Sequence, residues 1–168
     1  SVTLVEFMPE IVPNEDTEVS KTLGRSLKKA GIKVMTKASV ESVDTSGDLC
    51  QVSIKTKKGE EVKEAEIVLS AVGITPNTEN LGLEELSITT DRGFIVVDDY
   101  YQTNVPGIYA IGDVIPGVAL AHVASAEGII CVEKMAGHNP EPLDYKNIPG
   151  CTYTNPEVAS VGYTEESA

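Results

Sequence analysis

Val2, Leu4 and Val5 open the chain as a short apolar, β-favouring stretch that stops at Glu6, and the pattern predicts a strand there. After a loop holding Pro9 and Pro13 the period changes. Val19, Leu23, Leu27 and Ala30 recur at spacings of four or three, the mark of one packed helix face. The stretch Asn14 to Asp16 supplies oxygens and negative charge for that helix's first turn, and Gly31 can take the left-handed conformation that ends it. Ile32 to Thr36, Ser39 to Asp44, Leu49 to Thr56 and Glu61 to Lys63 then alternate in polarity. Turn sequences Thr45-Ser46-Gly47-Asp48 and Lys57-Lys58-Gly59 part them, so they read as an antiparallel meander with one wet face.

Ile67-Val68-Leu69-Ser70-Ala71-Val72 breaks this alternation with a continuous apolar run. That is the pattern of a strand buried on both faces, and it stops at Gly73 ahead of Thr75-Pro76-Asn77. Residues 78 to 104 hold a loop, a turn at Gly82 and a strand pair around Ile88 and Phe94 to Val97. A second apolar strand is expected over Gly107 to Asp113, ending in Gly-Asp. Ala121 to Ala136 reads as a helix with Ala126, Ile129, Ile130 and Met135 on its packed side, closed by Gly137. From Pro140 the character shifts: Pro142, Pro149 and Pro156 follow, with a short strand at Cys151 to Thr154, which suggests entry into a new domain. No internal repeat or low-complexity segment interrupts this order.

Charge narrows the range of partners. Against 26 Asp and Glu stand 13 Lys and Arg, a net charge of −13, which argues against nucleic acid or an acidic membrane surface as partner. With 168 residues there is room for one ordinary domain or for pieces of two smaller ones. No apolar run reaches the length of a membrane span and no secretory leader pattern opens the chain, so a soluble, cytoplasmic protein is expected. Cys50, Cys131 and Cys151 form no CxxC pair and lie far apart, which predicts reduced core or surface thiols and no metal site.

Two constellations carry candidate chemistry. An acid at the end of the second strand of a dinucleotide-binding unit accepts from both ribose hydroxyls of adenosine and repels a 2′-phosphate, favouring NAD over NADP. Glu6 has that placement, though as residues alone it reads equally as a solvated strand end, because no glycine-rich turn precedes it. The second is Tyr109-Ala110-Ile111-Gly112-Asp113 followed by Ala119-Leu120-Ala121-His122 and a helix. Glycine lets backbone approach a polyol or phosphate, an Asp after it can accept from a ribitol hydroxyl, and a helix N-terminus offers amides to a ring carbonyl. Such a set suits a flavin, and it also suits an ordinary strand-ending turn.

Residues 2–6 (Val-Thr-Leu-Val-Glu), 71–77 (Ala-Val-Gly-Ile-Thr-Pro-Asn), 108–114 (Ile-Tyr-Ala-Ile-Gly-Asp-Val), 120–122 (Leu-Ala-His), 126–128 (Ala-Glu-Gly) and 148–162 decide between these readings together. In their order and spacing the chain resembles the dihydrolipoamide dehydrogenases, a family of flavoproteins that reoxidise the lipoyl arm of 2-oxoacid dehydrogenase complexes. The resemblance implies an α/β fold. Residues 1–75 would form an incomplete Rossmann-like NAD domain with an antiparallel β-meander, 76–145 the C-terminal part of the FAD domain, and 146–168 the beginning of an interface domain. It implies that Glu6 binds the NAD ribose, that Val40 contacts adenine, that Gly73 lies on the nicotinamide side, and that Asp113 and Ala121, with Ala119, Leu120 and His122 around them, line the FAD site. His122 itself is given a structural or packing role, and His138 that of a solvated charge past a helix end. The implied partners are the lipoyl domain and a second copy in a homodimer.

Two departures from the family pattern stand out. Ile74 occupies a position where the family often has Arg, and Asn155 replaces the commoner His before Pro156. In the family hydride passes through a redox disulfide to FAD and then to NAD, with a His-Glu pair as base. This sequence has no Cys-x4-Cys, no Gly-x-Gly-x-x-Gly and no His-Pro-Thr, so the chain reads as an internal fragment expected to be inactive alone. A chain starting at the second strand of its sheet is expected to pair with missing pieces, swap elements with another copy, or be partly ordered. Two further readings stay open: a glutathione- or mercury-type disulfide reductase, which would carry arginines near residue 6, and a non-catalytic interaction module.

Overall fold

The computed structural model describes all residues, Ser1–Ala168. They form two compact units, one of Ser1–Ala71 with Pro149–Ala168 and one of Val72–Ile148. Strand and helix occur in both, which makes the chain mixed α/β.

In the first unit, β1 (Thr3–Glu6) runs parallel to β2 (Lys33–Thr36), and α1 (Thr17–Lys29) makes the crossover between them. Parallel neighbours need such a crossover, because the chain must return to the starting end of the strand. Acidic Glu18 in the first turn of α1 and Lys28 and Lys29 in its last suit the helix dipole, and Gly31 just beyond takes a φ of +87°. Leu23, on the predicted face, is buried, as is Ser20, whose hydroxyl accepts from the amide of Ile11 at 3.3 Å.

β3 (Ser39–Asp44), β4 (Cys50–Thr56) and β5 (Gly59–Ala65) form a three-stranded antiparallel sheet in sequence order. Residues 32–36, expected as part of this meander, belong instead to the parallel pair: their register runs Thr3 to Lys33 through Glu6 to Thr36. Alternate residues Val52 and Ile54 of β4 turn inward onto Ala38, and Val5 of β1 and Met35 of β2 pack against them. One small apolar cluster therefore joins the parallel pair to the meander. β8 (Gly150–Thr152) and β9 (Val158–Ser160) form an antiparallel pair in the same unit. This segment is tied to α1 by the Ser26 hydroxyl donating to the Asn155 carbonyl at 3.0 Å, and to the loop just before α1 by the Ser160 hydroxyl donating to Glu15 at 3.0 Å.

The apolar run at residues 67–72 is not the buried strand that its sequence predicts. It is assigned to no strand, and Ile67, Leu69 and Val72 are 85%, 87% and 95% exposed. A strand buried on both faces needs a hydrogen-bonded neighbour on each side, and no segment of this chain pairs with it.

The second unit has little regular structure besides α2 (Ala121–Met135). A hairpin of β6 (Thr90–Asp91) and β7 (Phe94–Ile95) is extended by the Val96 amide donating to the Thr89 carbonyl at 3.0 Å. The strand expected over 107–113 is reduced to a bridge between Gln102 and Tyr109, after which Gly112–Val114 close into one 3-10 turn. Ile88, Ile95, Tyr101, Ala110, Ile115 and Cys131 make the core. The buried face of α2 is Val123, Glu127 and Cys131; Ile129 and Met135, expected inside, are 61% and 51% exposed. Several apolar residues of this helix thus face outward while a carboxylate faces inward.

Candidate functional site

Glu6 lies at the C-terminal end of β1, where its carbonyl accepts from the Ala38 amide at 3.1 Å. Its side chain turns back on its own chain, Oε1 accepting from the Met8 amide at 2.7 Å. This fixes the carboxylate at the strand end. The Ala38 contact also brings the start of β3 beside Glu6. Val40, two residues further on, is 45% exposed at a break in register between Val40 and Ser42.

Gly73 belongs to the second unit, not to the unit holding Glu6 and Val40. Its φ of +119° lies outside the range open to most side chains, and nothing stands within 4 Å of where a Cβ would be. The segment after it is tethered to the β6–β7 turn. Pro76 would meet a Cβ at Gly93 at 3.2 Å, and the Thr78 hydroxyl donates to the Gly93 carbonyl at 2.9 Å.

The second constellation is assembled most fully. Gly112 has a φ of +72°, and a Cβ there would come within 3.3 Å of the Ala124 Cβ. A Cβ at Gly128 would meet Ile111 at 3.3 Å. Small residues on α2 thus seat this segment closely, Gly128 admitting the tip of the Ile111 side chain and Ala124 the backbone of Gly112. Asp113 follows, exposed. Leu120, the residue before α2, is extended and gives no side-chain cap, and its carbonyl accepts from the Val123 and Ala124 amides at 3.0 Å each. Ala119, Ala121 and His122 are exposed around it and Leu120 is half-buried.

Behind this turn lies a carboxylate that the apolar periodicity of α2 does not mark. Glu127, only 2% exposed, accepts from the Gly112 amide at 2.7 Å through Oε2 and from the Tyr145 hydroxyl at 2.7 Å through Oε1. The Tyr101 hydroxyl lies 3.4 Å from the Tyr145 hydroxyl, whose one proton is given to Glu127, so it is Tyr101 that can donate across that longer contact. Although Tyr145 is 39% exposed, partial burial of its hydroxyl, the hydrogen bond to Glu127 and the nearby negative charge push the phenol above its ordinary range, so it stays a donor. Burial likewise raises Tyr101. The signal for Glu127 was an acid at the centre of the i, i+4 series Val123, Glu127, Cys131.

Two cavities of the first unit border α1. The larger, about 580 Å³, is lined by residues that include Asp16, Val19, Thr22 and Val158, and the smaller, about 410 Å³, by Ser26, Leu27, Ala30 and Thr154 among others. Neither is lined by Glu6, Val40, Gly73, Asp113 or the start of α2. No group of three or more His, Cys, Asp or Glu is placed to hold a metal ion, and no helix is long and apolar enough to cross a membrane. The three cysteines are free thiols: Cys131 buried, Cys50 half-buried, Cys151 exposed.

Comparison with known proteins gives these positions a context. The family profile described as pyridine nucleotide-disulphide oxidoreductase matches residues 1–128. The chain is 48% identical to a dihydrolipoyl dehydrogenase of Rhizobium etli over 99% of its length, which is 35% of that relative. It is 49% identical to a mitochondrial dihydrolipoyl dehydrogenase of Pisum sativum, over 98% of this chain and 33% of the relative. Among solved structures, LpdA from Mycobacterium tuberculosis superposes with a TM-score of 0.88 at 31% identity, over 98% of this chain and 36% of that one. The chain therefore spans about a third of the length of these relatives, and with its family profile matched over residues 1–128 it belongs to the pyridine nucleotide-disulphide oxidoreductases.

Proposed function

We propose that this chain is part of a dihydrolipoyl dehydrogenase, in which it supplies one wall of the NAD site and one wall of the FAD site. The observation that carries the reading is the turn at Gly112–Asp113. A glycine forced to positive φ lies on the small residues of α2, with an exposed carboxylate next to it and an uncapped helix start just beyond. The set fits a flavin nucleotide: Asp113 is an acceptor for ribityl hydroxyls, and the positive end of α2 at Ala121, with Ala119 and Leu120 leading in, faces a ring carbonyl. Once bound, FAD supplies the two-electron relay between a dithiol and NAD.

Glu6 takes the ribose hydroxyls of NAD in this proposal, Val40 lies against adenine, and Gly73 leaves room at the nicotinamide end. The Met8 amide on Oε1 holds the Glu6 carboxylate ready, and its charge disfavours a 2′-phosphate. Residues 1–75, 76–145 and 146–168 then correspond to parts of the NAD, FAD and interface domains. The cytoplasmic enzyme would act as a homodimer on the lipoyl domain of a 2-oxoacid dehydrogenase complex. Exposure of Ile67, Leu69 and Val72 supports the view that residues 67–72 pair with strands outside this chain.

The three thiols of this chain form no disulfide, so residues 1–168 alone are expected to give no turnover. The full-length protein is expected to oxidise dihydrolipoamide with NAD in preference to NADP, followed by NADH absorbance. Native-like turnover by residues 1–168 would contradict the fragment reading. Reduction of another disulfide or oxidant, with no dihydrolipoamide activity in the full-length protein, would favour a different flavoprotein disulfide reductase, such as RclA from Escherichia coli, matched at 27% identity with a TM-score of 0.87.

A further inference from the structure

Glu127 occupies a position where an apolar side chain would pack well. It lies between Val123 and Cys131 on the buried face of α2, and the ion pairs of the chain, Lys63 with Glu61 and Arg92 with Asp91, do not involve it. Burying a carboxylate without a cationic partner is costly, so its hydrogen bonds must be short and well aimed. Both oxygens meet that need: Oε2 holds the Gly112 amide and Oε1 the Tyr145 hydroxyl, each at 2.7 Å. A leucine could fill the same space, but it would leave the Gly112 amide without an acceptor.

The consequence lies in the geometry of the turn. At a φ of +72° the Gly112 amide faces α2, and this orientation determines the direction in which the next residue leaves the helix surface. That residue is Asp113. We propose that Glu127 is a positioning residue of the flavin site: it clamps the Gly112 amide so that Asp113 is presented to the cofactor, while Tyr145, backed by Tyr101, holds the clamp. This rests on the reading of Asp113 as an FAD contact. Glu127 touches no cofactor itself, being 2% exposed beneath the turn.

The test is FAD affinity in the full-length apoprotein, measured by quenching of flavin fluorescence. E127Q retains a carbonyl oxygen for the Gly112 amide, and its NH2 can donate to the Tyr145 hydroxyl, so its Kd is expected within about threefold of the parent. E127D keeps the charge but withdraws it by one methylene, and E127A removes the acceptor. Both are expected to weaken FAD about tenfold or more, the effect of losing a charge-assisted bond. Because Glu127 acts through Asp113, E127A added to D113A should weaken binding far less than E127A alone. Should E127A fail to fold, the contrast between E127D and E127Q decides, and Y145F, which removes only the second bond, should weaken FAD several-fold.

The failures are distinguishable. D113A binding FAD with parental affinity sinks the flavin-contact reading. D113A weakened, with E127D and Y145F at parental affinity, sinks the positioning role alone. E127Q as weak as E127D, or full additivity in the double variant, also overturns it, since either would mean that the charge or general packing matters and not the hold on Gly112.

Discussion

Replacing Gly112 with alanine adds two loads to one residue, and a second glycine separates them. Gly112 and Gly137 both sit at positive φ, +72° and +84°, so a Cβ at either is strained by about 1–2 kcal/mol. At Gly137 nothing lies within 4 Å of the new atom, whereas at Gly112 it lands 3.3 Å from the Ala124 Cβ. Relief requires the turn to lift from α2, and the 2.7 Å bond from the Gly112 amide to Glu127 resists that. Crowding of this kind adds about 1 kcal/mol or more. G137A is therefore expected to cost about 1–2 kcal/mol and G112A about 2–3 kcal/mol in urea unfolding of the full-length protein. Only G112A should also weaken FAD. Equal losses from the two substitutions, or unchanged FAD affinity in G112A, would refute the tight seat of this turn on the helix.

V123A removes two methyl groups at a residue 1% exposed and is expected to cost about 1–3 kcal/mol, read from the same unfolding transition. Thiol labelling should modify Cys151 first. Cys131, buried and with its pKa raised chiefly by desolvation, should react only when the protein unfolds. Tyr145 predicts a pH dependence with a definite sign. Its folded pKa lies above the ordinary value of 10.0, so its contribution is fully present below about pH 10 and is lost as pH rises beyond it. Alkaline titration of stability should consequently be shallower in Y145F than in the parent, and identical slopes would contradict the hold of the Tyr145 hydroxyl on Glu127.

Patterns that depend on neighbours close in sequence were legible. The α1 face, its ending at Gly31 and the three antiparallel strands each follow from local period and turn chemistry. The parallel pairing of residues 33–36 with β1 was not, because alternation alone does not say which strand is adjacent. Residues 67–72 and 107–113 mislead for a related reason: an apolar run records what a segment is suited to pair with, and in this chain the first has no partner and the second only a bridge. On α2 the apolar pattern favours Ile129 and Met135, whereas the close contacts fall at the small residues Ala124 and Gly128, which admit the Gly112 backbone and the Ile111 side chain. Asp113 and Ala121 could be marked as candidates from Gly-Asp and a helix start. The role of Glu127 could not, because it requires knowing that the Gly112 amide points at the helix.

The most direct measurement is a structure of the full-length protein with FAD. The account predicts the ribityl chain within hydrogen-bonding reach of the Asp113 carboxylate, the flavin ring facing the first turn of α2 at Ala121, and Glu127 still bonded to the Gly112 amide beneath. A flavin bound elsewhere, with Asp113 in solvent, would contradict it.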